Sequence, residues 1–173
     1  SNMIWAIDDF DDGEAGVDQS ITGTALADTV TASYDADVDP SVALNMTGIE
    51  TFAVDLGDSA VEMVFDMAKV TGLTLVNYTD TDSESVEFDN LASGVTIDVT
   101  TDNATDTTVE VKPATVSGTE TQAFNVSATT AEGQDLSLVV ADVETVTIKP
   151  ETALQVDLDL SGLTMTTATE VMS

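Results

Sequence analysis

The sequence contains no cysteine, no histidine and no arginine, and its basic side chains are Lys69, Lys112 and Lys149. Without cysteine it can have neither a disulfide framework nor a thiolate metal site. The side chains that most often serve as catalytic base, oxyanion-stabilising cation and thiol nucleophile are therefore missing or scarce. Aromatic residues make up only 5% of the chain, few for a sugar-binding groove. We expect a protein that is not an enzyme; a glycosidase site of two carboxylates is the alternative that remains open.

Positive charge is almost absent: 33 acidic residues against the three lysines give a net charge of −30. Such a chain repels phosphate backbones and anionic lipids, so we expect no nucleic-acid partner and no membrane binding. Long apolar runs are also missing, and none approaches the roughly 20 residues of a membrane span. Met3 to Ile7 lacks the basic flank of a signal peptide, and Ser1 and Asn2 resemble the remnant of a cleaved tag. Cations are the expected partners, because they relieve the self-repulsion of the folded chain.

One position recurs along the chain at nearly constant spacing. The intervals are 25, 24, 22, 24, 24 and 20 residues, and they separate Gly23, Gly48, Gly72, Gly94, Gly118, Asp142 and Gly162. The residues that follow these marker positions mostly alternate between apolar or threonine and polar, as strands do, with Ala25 as the exception at the polar second place. The pattern predicts that the markers occupy equivalent corners of a repeat. It also predicts that the apolar residues after them stack in one inward column, which contains Ile49, Leu73, Val95 and Val143.

A second strand pattern lies near the middle of most repeats, as in Val86-Glu87-Phe88 and Val109-Glu110-Val111. Two strands in each repeat of about 23 residues predict an all-β fold, a right-handed parallel β-helix or β-solenoid of about seven coils. We place this repeat domain at 20–173, after an acidic N-terminal cap or linker at 1–19. A β-sandwich is the alternative, because it also has many short strands. The only helical candidate, Val64 to Lys69, is too short to change this interpretation.

Stacked coils bring glutamates of successive repeats together. The predicted stacks are Glu120 over Glu144, and Glu62, Glu87 and Glu110 in series. Two such charges one strand spacing apart repel by roughly 3 kcal/mol at an effective dielectric constant of about 20. Either cations bridge these glutamates or the side chains face water and splay apart, and we expect the second.

The segment from Ser20 to Val30 resembles the lead-in to RTX-type calcium repeats, with Asp28 and Val30 at the aspartate and apolar places. The strands that begin at Gly48 and Val143, and the Gly-Leu-Thr units at 72–74 and 162–164, are similar to the stacked repeats of type I-secreted bacterial S-layer proteins. This resemblance implies export to the extracellular cell surface and Ca²⁺-dependent assembly of a surface lattice.

Closely spaced aspartates provide further candidate ligands for Ca²⁺, which takes six to eight oxygen ligands. The predicted metal ligands are Asp28, Asp35, Asp37, Asp39, Asp80, Asp82, Asp157 and Asp159. The alternative for each cluster is a solvated turn.

The sequence therefore predicts a structural segment of a secreted, S-layer-like surface protein that assembles with the help of Ca²⁺. Its expected partners are other copies or neighbouring repeats, and cell-surface polysaccharide. The alternative function is a surface-displayed adhesin or carbohydrate-binding module.

Overall fold

The computed structural model describes residues 4–7, 20–34, 41–56, 62–80, 85–101, 106–115, 118–128, 135–150, 157–159 and 163–172. The regular structure of these residues consists of strands. No helix among them is long and apolar enough to cross a membrane.

The described residues form fourteen strands in chain order. Their bounds are β1 Ile4–Ile7, β2 Ser20–Thr22, β3 Thr29–Tyr34, β4 Ser41–Thr47, β5 Thr51–Leu56, β6 Met63–Thr71, β7 Leu75–Asp80, β8 Val86–Leu91, β9 Thr96–Thr101, β10 Thr107–Pro113, β11 Thr121–Ala128, β12 Asp135–Pro150, β13 Asp157–Asp159 and β14 Leu163–Met172. The short helical candidate from Val64 to Lys69 lies inside strand β6.

The strands form two parallel stacks that meet in β12. Sheet A contains β2, β4, β6, β8, β10 and the first half of β12, and sheet B contains β1, β3, β5, β7, β9, β11 and the second half of β12. Each half of β12 has its own neighbour: Leu136 pairs with Thr107 in sheet A, and Thr145 pairs with Thr121 in sheet B. Strands β13 and β14 pair with β12.

This arrangement is a β-solenoid, as the repeat predicted. Thr51 lies beside Leu75 in sheet B, and Met63 lies beside Val86 in sheet A, so successive coils are about 24 residues apart. The pairings between the described strands are parallel, which excludes the antiparallel sandwich. The coil count among the described residues differs slightly from the predicted seven: five coils, β2–β3 to β10–β11, have two separate strands, and β12 supplies both strands of the next. The right-handed winding stays a prediction.

The region before residue 20, expected as a cap or linker, contributes β1 to sheet B. Ile4 pairs with Thr29 and Ile7 with Ala32, so β1 adds one more parallel strand beside β3. The remaining residues up to 19 lie outside the described part of the chain.

One continuous hydrophobic core runs between the two sheets. Strand residues alternate between buried and outward-facing, as in β8, where Val86 and Phe88 are buried and Glu87 between them is not. Phe65 packs between Phe52 and Phe88, with ring centroids 5.5 Å and 5.8 Å away. These inward positions make a single core because each coil buries its apolar face against the next.

The four residues predicted to share an inward column belong to this core. Ile49, Val95 and Val143 are buried, and Leu73 is half-buried and packs against the same core. A single core containing all four is therefore confirmed.

Five of the described marker positions share a backbone conformation that L-residues rarely adopt, and Gly23 does not. The φ angles are +66° at Gly48, +90° at Gly72, +84° at Gly94, +90° at Gly118 and +60° at Asp142. Glycine takes this left-handed region freely, and aspartate tolerates it better than most residues. These five positions therefore mark one corner geometry, whereas a side chain at Gly23 would collide with the carbonyl oxygen of Gly48 in the next coil. Gly162 lies outside the described residues.

Gly94 allows the cost of this geometry to be measured alone, because an added Cβ there would meet no atom within 4 Å. We expect Gly94→Ala to lower the free energy of unfolding by about 1–2 kcal/mol, since φ must stay positive. Gly94→Asn should cost less, because asparagine populates the left-handed region more readily. Urea denaturation of both variants checks this. Equal losses for alanine and asparagine would contradict it.

Candidate functional site

The corners of the coils hold carboxylates that bind backbone amides of the preceding coil. The N–H of Glu120 donates to the carboxylate of Glu144 at 2.7 Å, and the N–H of Asp28 donates to the carboxylate of Glu50 at 2.7 Å. The Glu120 carboxylate accepts the N–H groups of Gly118 and Thr119 at 2.8 Å and 3.0 Å. These glutamates therefore satisfy backbone donors that the tight corner leaves without a strand partner.

The expectation that Glu120 and Glu144 splay apart into water is wrong for Glu120, whose side chain is buried at 2% exposure. A carboxylate can be buried when several N–H donors solvate it in place of water. Glu120 and Glu144 are still stacked, but amides separate their charges: the backbone N–H of Glu120 itself points at the Glu144 carboxylate.

Asp28, predicted as a calcium ligand, likewise accepts a backbone N–H group, at the first described corner. It is fully buried, and its carboxylate accepts the backbone N–H of Thr24, which closes the turn between them. Its own carbonyl accepts the N–H of Thr51 in the next coil at 3.1 Å. Among the described residues, the one group of three acidic side chains close enough to share an ion does not include Asp28. A calcium role for Asp28 stays a prediction.

The other predicted calcium ligands are distributed over the turns. Asp35, Asp37, Asp39 and Asp82 lie outside the described residues. Asp80 is the last residue of β7, and Asp157 and Asp159 are the first and last residues of β13.

The structure aligns Asp157 with Asp135 in the neighbouring coil, and the N–H of Asp135 donates to the carboxylate of Asp106 at 3.0 Å. This column of aspartates at the start of the sheet A strands was missed by the sequence analysis, because its members follow loops of unequal length.

The outward side of sheet A, here called the acidic face, carries the predicted series of glutamates. Carboxylate oxygens of Glu62, Glu87 and Glu110 lie within 4.8 Å of one another. The ammonium group of Lys112 lies 2.6 Å from Glu87, 3.5 Å from Glu110 and 3.8 Å from Asp89. The predicted series is therefore brought together, and a cation of the chain itself offsets its repulsion.

Two groups on the acidic face have shifted pKa values. Partial burial, followed by a hydrogen bond and charge repulsion from Glu87, raises the pKa of Asp89 above 3.8, although Lys112 opposes the shift. The hydrogen bond to Glu87 raises the pKa of Lys112 above 10.5. Lys112 therefore stays charged near neutral pH, and its contribution to stability is lost only as the pH rises through its raised pKa.

The raised pKa of Asp89 predicts how stability changes with acidity. The folded state binds the Asp89 proton more tightly than the unfolded state, so stability grows as the pH falls through the raised pKa towards 3.8. We expect the melting temperature to rise as the pH falls through the raised pKa of Asp89 towards 3.8, and to rise less in Asp89→Asn, which has no proton to bind. Circular dichroism melts at fixed ionic strength measure both slopes. An identical slope in Asp66→Asn and Asp89→Asn would contradict the role of Asp89.

The outward side of sheet B, here called the threonine face, forms a regular grid of small polar residues. Its positions fall in three columns that run along the solenoid, set by the register of the strands. The columns are Thr29, Thr51, Leu75, Thr96, Ala123 and Thr147; Thr31, Ala53, Asn77, Asp98, Asn125 and Lys149; and Ser33, Asp55, Thr79, Thr100 and Ser127.

Charge distinguishes the two faces. The threonine face has two acidic residues, Asp55 and Asp98, and one lysine, Lys149. Asp98 also accepts a hydrogen bond from the amide of Asn125 in the next coil. The acidic face, in contrast, concentrates its carboxylates in neighbouring coils. The described residues in these three columns are thus almost neutral in sum, in a chain of net charge −30.

Comparisons with protein-family models, curated proteins and solved structures gave no match to this chain.

Proposed function

We propose that this chain is a structural segment of a secreted cell-surface protein of the S-layer kind, and that it assembles with further copies or repeats with the help of Ca²⁺. The observation that carries the proposal is the uninterrupted parallel stack from β1 to β14. Such a stack is a rod whose geometry is the same at every coil, and it can be lengthened by adding coils.

The ends of the stack support an assembly role. Strands β13 and β14 each pair with β12 on one side, and β1 and β2 pair with β3 and β4. Among the described strands, none covers the other side of these four. A strand edge presents backbone N–H and C=O groups that another strand can pair with. A further coil or a second copy is the natural cover.

The charge of the chain supports the dependence on Ca²⁺. Two copies of net charge −30 repel at low ionic strength, and this repulsion opposes end-to-end contact. Divalent cations bound by the aspartate-rich turns would reduce that charge where coils meet. We propose Asp157 and Asp159 as ligands at this end of the stack, because β13 pairs with the first half of β12.

Light scattering at matched ionic strength tests the proposal. We expect the particle mass to increase in millimolar Ca²⁺ and to stay at that of the monomer in NaCl of the same ionic strength. Adding chelator should bring the mass back to that of the monomer. Ca²⁺ at a hundredfold excess over its dissociation constant should also stabilise the folded state by about 2.7 kcal/mol. Monomers under all conditions, with identical melts, would contradict the proposal.

Two double variants that each remove two negative charges test where Ca²⁺ binds. Asp157→Asn with Asp159→Asn should reduce the Ca²⁺-dependent mass increase. Asp66→Asn with Asp89→Asn removes the same charge from the acidic face and should leave the increase intact. Equal responses in the two double variants would show that Ca²⁺ acts only by general screening, and would contradict a site at the end strand.

A further inference from the structure

We infer that the threonine face of sheet B is a lateral contact for a second copy of this chain, with the two copies related by a two-fold axis that runs parallel to the strands between β7 and β9. The inference rests on the proposed function, because it names the surface through which neighbouring rods would lie side by side. Three features support it: the charge of each face, the pattern of charges on the grid, and the area of the grid.

Charge selects the threonine face over the acidic face. Glu87 and Glu110 are neighbours near the middle of the acidic face, so a two-fold contact there turns carboxylates of one copy towards carboxylates of the other. Like charges that face each other across an interface oppose association strongly. The threonine face has no adjacent pair of carboxylates along its columns, and Asn125 already binds Asp98.

The positions of the charges select the orientation. A two-fold contact is isologous: where a residue i of one copy contacts residue j of the other, residue j of the first copy also contacts residue i of the second. With the axis between β7 and β9, β7 faces β9 of the second copy and β5 faces β11. Asp98 then faces the amide of Asn77, and Asp55 faces Ser127, because each pair occupies the same column. No two like charges of the grid oppose each other.

The other two-fold orientation is excluded by the same grid. An axis along the solenoid would place each strand against the same strand of the second copy. It would also reverse the order of the three columns across the contact. The middle column would then fall on itself, so Asp98 would face Asp98 and Lys149 would face Lys149. Two repelling pairs at the centre of a small contact make this arrangement unfavourable.

The area of the grid sets the expected affinity. Six strands about 4.8 Å apart and about five residues long cover roughly 500 Å² on each copy. Stable complexes bury about 800 Å² per partner, so this contact alone is of the weak class. In a lattice of many copies each copy makes several weak lateral contacts, and their combined avidity holds the lattice together.

Sedimentation equilibrium of a variant with one added carboxylate tests whether the threonine face forms the contact. Ser127→Asp places a carboxylate against Asp55 of the second copy twice in each dimer, and we expect it to weaken dimerisation at least about tenfold. Ser41→Asp makes the same chemical change on the sheet A side and should leave the dimer constant unchanged. Asp55→Ser combined with Ser127→Asp exchanges the two residues and should restore dimerisation. Equal effects of the two aspartate variants, a monomeric wild type, or failure of the exchange would overturn the inference.

Spin-label distances test the orientation, and the natural absence of cysteine makes single labelling sites simple to introduce. In the inferred dimer, labels at Thr79→Cys lie close to the axis, whereas labels at Thr31→Cys are displaced along the rod by five strand spacings, or about 24 Å. We expect a short distance for the first and a long one for the second. Short distances at both sites would overturn the inferred axis.

The failure of this inference can be separated from failure of the proposed function. Ca²⁺-dependent assembly that Ser127→Asp leaves intact would overturn the lateral face and leave the structural role standing. A dimer that Ser127→Asp weakens, in a chain that does not respond to Ca²⁺, would support the face and contradict the Ca²⁺-dependent role.

Discussion

Replacing Phe65 by alanine is expected to lower the free energy of unfolding by about 3–5 kcal/mol, the largest loss of any single truncation proposed for this chain. Phe65 is completely buried, and its ring contacts Phe52 of sheet B edge-on and Phe88 of the next coil by stacking. Removing it leaves a cavity that rigid neighbouring coils cannot close. For a chain of this length the melting temperature should fall by roughly 10 °C.

Two controls separate the cavity from the loss of a side chain. Phe65→Leu keeps most of the volume and should cost clearly less than alanine. Leu26→Ala truncates a side chain that is 50% exposed and should change stability by less than about 0.5 kcal/mol. Urea denaturation in buffered NaCl measures all three, because urea leaves the ionic strength unchanged. A loss below about 1 kcal/mol for Phe65→Ala would contradict a core packed continuously through these rings.

The solenoid could be predicted because two independent patterns agree along the sequence. The period-two alternation identifies strands such as Val86 to Phe88, and the recurring glycine marks where each coil turns. The physical link is the positive φ at the corner, which few residues except glycine adopt without strain. The spacing alone places Asp142 in the same series, and it takes φ +60° at the corresponding corner inside β12.

The contacts of the acidic residues could not be predicted from the sequence. Whether Glu87 meets a cation depends on how β8 and β10 are aligned, since Lys112 of β10 lies 2.6 Å from Glu87 in the preceding coil. Burial of Glu120 depends on the donors that surround it, and a strand pattern does not reveal them. The same holds for the neutrality of the threonine face, which appears only once the strands are aligned.

Replacing Glu120 by alanine should produce the second large effect, a loss of about 2–4 kcal/mol. The variant leaves the N–H groups of Gly118 and Thr119 without their acceptor at a corner where Glu120 itself is only 2% exposed. These bonds are only partly buried, because Gly118 and Thr119 are themselves exposed, but a hydrogen bond to a charged acceptor contributes about 1.5–3 kcal/mol. This cost outweighs the relief of repulsion between Glu120 and Glu144, since amides already separate the two carboxylates.

The matched control is Glu110→Ala, which removes the same atoms and the same charge from the acidic face. Glu110 is half-buried, and its carboxylate lies 3.5 Å from the ammonium group of Lys112, an exposed contact worth less than about 1 kcal/mol. Its loss also relieves repulsion from Glu87, so we expect little change. Glu120→Gln keeps one acceptor oxygen and should fall between the two alanine variants. Urea melts that give equal losses for Glu120→Ala and Glu110→Ala would show that the corner carboxylates are solvated after all, and that the turns between coils are held by glycine geometry alone.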